Sequence, residues 1–472
     1  MAGQRRWVDV LLVNPPWYKR TSNIWRFIDS SMPPLGLASI AACLRKHDVS
    51  VDIVDFAGQG LGLSDAPRVL AEYEMSWLGI TAVTGVMAQA LEVARVGKRL
   101  NPGAKVVFGG VHPSLLSAEV VRQPGVDYVV RGEGETAFLE LIRAGSPEGV
   151  ESVTFMKDGE VVENPQAPPI ADLDALPWPA YDLLLDGRNH YRPARGGYRR
   201  LPAISMLTTR GCPGRCTFCN GGFFGRRIRG LSAQTIAAQM DWLKRQFNIQ
   251  EICFYDDTFT YDRERILELC QRLLVAGTEL TWSCFSRVDF VDREILEAMS
   301  RAGCHQIMYG VESASPAILQ NMRKRISLDR VPDVVRWTQA AHIDVRLAFM
   351  LGSPGETPVT ARATLDWAVE LDPELTVFNI TTPYPGTEMF RWAKKEGYLA
   401  TNQWSEYDLA HPVMQLPTIS SSELRRLYRL AYLRFYLRPK ALWRLVRREL
   451  KESGWRRSER RTGAFFPKHR CG

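Results

Sequence analysis

Short apolar runs alternate with longer amphipathic stretches along the first 145 residues. "VDVLLVN" (8–14), "VDIVDF" (51–56), "WLGITAV" (77–83), "KVVFGGV" (105–111) and "DYVVRG" (127–132) are short and mostly apolar, the pattern of buried strands. Between them, "LGLASIAACLRKH" (35–47) and "MAQALEVARVGKRL" (87–100) space their apolar residues at a helical period. Strand–helix alternation predicts a doubly wound parallel sheet with right-handed crossovers. Such a sheet binds ligands at the carboxyl ends of its strands.

The pattern then changes. "SVTFMKDGEVVEN" (152–164) reads as a hairpin turning at Asp158-Gly159. "PQAPPIADLDALPWPAYDLL" (165–184) holds too many prolines for one regular element. Residues 146–200 are therefore expected to form a hairpin and a linker, packed down because Leu173, Leu176, Trp178 and Tyr181 need burial. From Ala203 the alternation restarts. "AISMLTTRG", "EICFYDDTFT", "LTWSCFSRVDF", "HQIMYGVES", "DVRLAFMLG" and "ELTVFNITTPYPG" read as six strands, each followed by a helical stretch such as "SAQTIAAQMDWLKRQF" (232–247). This predicts a partial (β/α)6 barrel over 201–395, with its chemistry on the loops after the strands. Residues 396–472 are expected to be a helical C-terminal region. There Leu424, Leu427, Tyr428, Ala431, Tyr432 and Phe435 share one helix face, which would pack on the barrel.

Charge changes this picture only at the end of the chain. From Leu424 to Gly472 there are 16 Lys or Arg against three acids, a net +13, so the chain's overall +8 leaves −5 for the rest. The basic region could touch an anionic membrane surface; a solvated helix and chain end is the plainer reading, and nucleic acid is not an expected partner. The composition, 45% hydrophobic and 24% charged, is that of a globular protein, and no apolar run reaches the ~20 residues of a membrane span. "MAGQRRWVDVLLVNPPW" lacks a cleavage site and reads as a first strand, so a cytoplasmic location is expected.

The candidate chemistry begins at "TTRGCPGRCTFCNGG" (208–222), where Cys212, Cys216 and Cys219 are spaced C-x3-C-x2-C. Disulfides are rare in the cytoplasm. A structural zinc site wants a fourth ligand, and no other cysteine has a C-x-x-C neighbour. Three thiolates around a 4Fe–4S cluster would leave one iron open to a small molecule, with Gly211 and Gly214 letting the backbone wrap closely. Cys43, Cys253, Cys270, Cys284 and Cys304 lie in apolar elements and read as core, and Cys471 lies in the tail.

This loop, after the first strand of a β/α barrel and with Phe218 before its last cysteine, resembles the radical S-adenosylmethionine (SAM) superfamily. The resemblance covers residues 203 to about 390. It implies that "FYDDTFT" brings Asp256 and Asp257 near the SAM amino group, although a capped turn before Asp262 would also explain these acids. It implies that Glu312 of "GVES" meets the ribose hydroxyls with Ser313 beside it. Gly352 and Gly355 of "FMLGSPGET" would admit the adenine, and Arg287 of "SRVD" would pair with the SAM carboxylate.

"LLVNPPW", "MPPLGLASIAACLRKH", "GITAVTG", "VVFGGVHPS" and "DYVVRGEGE" resemble, in that order, the cobalamin-binding domain of cobalamin-dependent radical SAM enzymes. This second resemblance covers residues 8 to about 140. It implies cobalamin contacts from Pro34, Leu35 and Gly36, from Thr81 and Thr84, from Gly109, Gly110 and His112, and from Gly132 and Glu133. The cobalt-ligating D-x-H-x-x-G motif is absent, so His112 is expected to be a loop histidine and not a ligand. The function implied is methyl transfer from SAM through cobalamin to an unactivated carbon or phosphinate of a small molecule or peptide. A 5′-deoxyadenosyl radical would activate the acceptor, and an electron donor such as flavodoxin or ferredoxin would start the chemistry. The main alternative is an anaerobic oxidative cyclase or rearrangement enzyme with the same cofactors. A methylthiotransferase would need three more clustered cysteines in the first domain, where only Cys43 occurs. A non-enzymatic cobalamin sensor would not need the three-cysteine loop.

Overall fold

The computed structural model describes residues 5–17, 30–221, 223–444 and 446. Its first sheet contains β1 (Arg6–Asn14), β2 (Val51–Asp55), β3 (Tyr73–Thr81), β4 (Lys105–Gly109), β5 (Tyr128–Val130), β6 (Val153–Lys157) and β7 (Glu160–Glu163). The order is β2-β1-β3-β4-β5-β6-β7, parallel through β5 and antiparallel after it. Helices α1 (Leu35–Arg45) and α6 (Gly134–Ala144) contribute to one core with Ala180, Leu183 and Leu184. Helices α2 (Ala66–Leu70), α3 (Met87–Leu100) and α5 (Ser117–Val121) contribute to a second, separate core. A sheet flanked by two cores is doubly wound, and the chain reverses direction between β1 and β3, where ligands bind such sheets. The short α4 (Val111–Leu115) follows β4 on this edge.

The hairpin at 152–164 departs from the linker expectation. Its first strand pairs with β5 from Tyr128↔Phe155 to Val130↔Val153, so the hairpin extends the first sheet. The prolines after it run along the domain boundary. Leu173 and Tyr181 are buried, whereas Trp178 remains 37% exposed and packs at a tilt of 57° against Trp242, centroids 5.6 Å apart.

The second sheet has six parallel strands, β8 (Ala203–Met206), β11 (Glu251–Phe254), β12 (Thr281–Ser286), β13 (Cys304–Glu312), β14 (Asp344–Leu351) and β15 (Leu375–Ile380), in chain order. Between β8 and β11 a small ladder of β9 (Thr209–Arg210) and β10 (Arg229–Gly230) clamps the base of the cysteine loop. The helices are α7 (Ala233–Phe247), α8 (Arg263–Val275), α9 (Arg293–Arg301), α10 (Pro316–Asn321), α11 (Arg330–Ala340), α12 (Pro358–Glu370) and α13 (Glu388–Lys395). Ser232, Asp262, Asp292, Thr357 and Thr387 cap five of them by accepting a backbone N–H.

A six-stranded barrel does not close, so β15 has an edge to satisfy. The last described helix, α14 (Ser421–Tyr436), supplies the partners. It buries Leu424, Leu427, Tyr428, Ala431 and Phe435 in the barrel core. The Tyr432 hydroxyl accepts from Phe378 N (3.2 Å) and donates to Phe378 O (2.9 Å). One turn on, the Tyr436 hydroxyl does the same with Thr376 N (3.1 Å) and O (2.7 Å). Most of the basic stretch, with Cys471, lies outside the described residues. No helix among the described residues is long and apolar enough to cross a membrane.

Candidate cofactor site between the two domains

The cysteine loop is built around glycines. A Cβ on Gly214 would stand 3.3 Å from Cys212 Sγ and 3.9 Å from Cys216 Sγ. One on Gly221 would stand 3.7 Å from both Cys212 Sγ and Cys219 Sγ. The three sulfurs thus gather around two residues that lack side chains, and none is in a disulfide. Among the described residues no His, Cys, Asp or Glu set closes tightly enough for a single metal ion. The loop's donor set and its glycine space fit a larger cluster. Enclosure by protein, reinforced by Asp257, pushes the Cys219 thiol up to about 12, although the residue keeps an exposed face. Burial also raises Cys216, against the pull of Lys324 and Arg287. Binding iron would replace the thiol protons.

The two adjacent acids after β11 separate in role. Asp256 is fully buried and accepts from Thr208 N (2.9 Å), Thr208 Oγ1 (3.0 Å) and Thr209 Oγ1 (2.6 Å). Through Oδ1 it pins the root of the cysteine loop, while Oδ2 is buried with no hydrogen-bond partner. Asp257 is exposed and faces the loop electrostatically, as its effect on Cys219 shows. Arg287 lies close enough to bias Cys216, but it also donates to Asp289 (2.5 Å) and to Arg325 O (2.6 Å).

Glu312 sits where a register shift disturbs the β13–β14 ladder, in a left-handed conformation with φ of +73°. A non-glycine residue adopts this only where the surroundings enforce it. Its carboxylate pairs with Lys324 at 2.9 Å, a partner that sequence reading missed. Ser313 turns away: it is fully buried, contacts Thr364 Oγ1 at 3.3 Å and accepts from Ser315 N at 3.1 Å. Gly352 also differs from expectation. A Cβ there would meet Leu424 Cδ2 at 2.5 Å, so its open side is filled by α14. Phe218 packs with Ile318, Met322 and Met350 in a small apolar cluster beside the loop.

At the carboxyl edge of the first sheet lies a cavity of about 280 Å³. Leu35, Gly36, Thr81, Gly109, Gly110, Gly132 and Glu133 all line it. Gly110 has φ of +90°, and a Cβ on it would meet Thr81 Oγ1 at 2.7 Å and Ala82 O at 2.9 Å. Gly36 has open space where a Cβ would stand. These backbone surfaces and apolar walls such as Ile80, Val107 and Phe138 fit a largely neutral ligand. Three of the expected residues do not line it. Pro34 serves as the N-cap of α1. Thr84 Oγ1 lies 3.2 Å from His112 Nδ1, and the His112 ring is fully buried, 5.4 Å from Trp404. Burial pushes His112 down to about 4, so it is neutral and turned into the protein.

The far wall of the cavity comes from the barrel: Leu207, Arg210, Phe223, Phe224 and Leu231. The domains are joined here by charge. Glu133 pairs with Arg229 and, at 3.4 Å, with Arg210. Glu135 accepts from Arg210 at 2.5 Å and from Ser39 Oγ at 2.7 Å. Glu133, expected to face the ligand, is thus committed to the joint.

The Radical SAM superfamily profile matches residues 206–368, and the B12 binding domain profile matches residues 27–142. The uncharacterized methyltransferase PH0819 of Pyrococcus horikoshii is 36% identical over 442 residues, which span 92% of this chain and 94% of that protein. The chain belongs to the cobalamin-dependent radical SAM enzymes. The family's cofactors are a 4Fe–4S cluster, SAM and cobalamin. The anaerobic magnesium-protoporphyrin IX monomethyl ester cyclase of Cereibacter sphaeroides is 25% identical over 92% of this chain and 71% of its own. In fold, the chain is similar to the radical SAM methyltransferase TsrM of Kitasatospora setae, solved with cobalamin and a [4Fe-4S] cluster. That match has a TM-score of 0.68 and 20% identity, and covers 90% of this chain and 85% of that one.

Proposed function

We propose that this enzyme transfers a methyl group from SAM through cobalamin to an unactivated carbon, or a phosphinate, of a small-molecule or peptide substrate. The observation that carries the proposal is the cavity between the domains. One wall is the glycine-lined edge of the first sheet, and the other is the barrel surface bearing Arg210, at the root of the cysteine loop. When bound, cobalamin supplies the methyl carrier while the cluster and SAM supply radical chemistry.

In this reading Cys212, Cys216 and Cys219 hold three irons and leave the fourth open. Asp257 and Arg287 face the amino and carboxylate groups of SAM, and Glu312, positioned by Lys324, takes its ribose. Leu35, Gly36, Thr81, Gly109, Gly110 and Gly132 hold cobalamin. No histidine lines the cavity, so none of the described residues there would ligate cobalt through imidazole. Oxygen-labile iron and free thiols suit the cytoplasm, and an external donor of the flavodoxin or ferredoxin kind supplies electrons.

The likeness to the cyclase favours a second reading, an oxidative ring closure with the same cofactors. One experiment separates them. The anaerobically reconstituted protein, loaded with reduced cobalamin, is given one equivalent of SAM. Methyl transfer predicts equal amounts of S-adenosylhomocysteine and methylated cobalamin by mass spectrometry. Unmethylated cobalamin with slow release of 5′-deoxyadenosine would move the cyclase reading ahead. Failure to bind cobalamin would sink both.

A further inference from the structure

A second groove, of about 340 Å³, shares no lining residue with the cobalamin-side cavity and is the one of the two that includes cluster cysteines, Cys216 and Cys219. Four arginines surround these thiols: Arg215 in the cysteine loop, Arg226 on its return arm, Arg323 after α10 and Arg391 on α13. All four are exposed. One carboxylate, Glu388, also lines the groove and pairs with Arg323 at 2.8 Å. Arg226 donates to Gly214 O (2.8 Å) and Arg391 to Gly386 O (2.9 Å). Each guanidinium has five N–H donors, so these bonds fix the side chains without exhausting them.

Four cations against one anion on an open surface make a focused positive potential beside the thiols. A site for a small anion would instead enclose it with buried, convergent donors. Exposed arginines drawn from three chain segments suit a broad, hydrated, acidic protein surface, where charge sets the encounter rate more than the affinity. The family chemistry needs one electron from outside, and this groove reaches two of the cluster ligands, Cys216 and Cys219.

We propose that this groove docks an acidic one-electron carrier protein, a reduced flavoprotein or iron–sulfur protein, that reduces the cluster held by Cys212, Cys216 and Cys219. The proposal rests on the family reading. One electron leaves the carrier, which is oxidised, and enters the cluster, which is reduced; no bond is broken and no proton moves in this step.

The test compares two reductants of the reconstituted enzyme by anaerobic stopped-flow absorbance. One is a reduced flavodoxin or ferredoxin; the other is photoreduced deazaflavin, which is small and uncharged. The variants are Arg215→Glu/Arg391→Glu and the conservative Arg215→Lys. The double reversal is expected to slow carrier-driven reduction roughly tenfold or more at low salt and to flatten its salt dependence. Deazaflavin reduction should be unchanged, and Arg215→Lys should behave as the parent. Equal carrier rates for parent and double variant would overturn the proposal. So would a parallel loss with deazaflavin, which would mean a damaged cluster. Competition by millimolar inorganic phosphate at constant ionic strength would assign the groove to a small anion instead. A parent protein that takes up no iron would remove the family reading, a failure visible before any carrier is added.

Discussion

Replacing Arg210 by methionine probes the joint on which the two-domain site depends. Arg210 ends β9 two residues before Cys212, and its side chain is 12% exposed, against 5% for Glu135 and 8% for Glu133. Glu133 keeps Arg229 as a second cation. Glu135 would keep the Ser39 hydroxyl and a backbone N–H but no cation. Burial works to raise the Glu135 carboxyl, and Arg210 with Ser39 outweighs it, holding the group below its ordinary range. Losing Arg210 therefore strands one buried carboxylate. Breaking such a pair costs about 3–5 kcal/mol, whereas replacing both partners with apolar groups is often near neutral. Arg210→Met should lose about that much stability in urea unfolding followed by tryptophan fluorescence, and Arg210→Met/Glu135→Leu should recover most of it. Acid supplies a second check. The depressed Glu135 carboxyl stabilises the parent above the ordinary carboxylate range and loses that contribution as pH falls through its folded value. The gap between parent and Arg210→Met should therefore close in acid. A single variant within about 1 kcal/mol of the parent, or a double variant worse than the single, would refute the reasoning.

Three further outcomes follow from particular contacts. Tyr432→Phe and Tyr436→Phe each leave backbone groups of β15 unpartnered and should each cost about 1–3 kcal/mol, read as a lowered urea midpoint with an unchanged slope. Gly110→Ala places a methyl group against Thr81 Oγ1 and Ala82 O at φ of +90°; cobalamin titration should show at least roughly tenfold weaker binding, and parental affinity would remove Gly110 from the site. Burial pushes Glu356 up to about 7, although it accepts from Gly352 N and Ser353 N. Its folded value lies above the unfolded one, so its contribution is complete below the ordinary carboxyl range and is lost as pH rises to about 7. On the order of 3 kcal/mol is at stake, and Glu356→Gln should flatten that slope in unfolding measured from pH 4.5 to 8.

What the sequence made legible is what hydrophobic period determines locally. All six barrel strands and the first five strands of the sheet are short, largely apolar runs, and their burial needs no knowledge of their neighbours. The hairpin at 152–164 was legible as a hairpin but not as part of the sheet, because nothing in its own alternation says which edge it will meet. Tyr432 shows the same limit at one residue. Its ring fits the apolar stripe of α14, while its hydroxyl has a use only once the free edge of β15 is in place. Adjacent acids are harder still. Asp256 and Asp257 are chemically alike in the chain, and the turn after β11 buries one against Thr208 and Thr209 while leaving the other facing the cysteines.

The hardest feature to read was the one that makes the site. Glu133 was legible as a residue on the ligand-binding edge, and it does line the cavity. Its cations, Arg210 and Arg229, belong to the barrel and flank the cysteine loop, so the carboxylate is occupied by the second domain. A motif records which residues stand near a cofactor, but not which of them are spent holding two domains in register. Arg210 carried a signal all the same, since the stretch from Thr208 to Gly230 holds no carboxylate to balance it. A charge with no counter-charge in its own element is a reason to look for one across a domain boundary, and here that search leads to Glu133 and Glu135 at the edge of the first sheet.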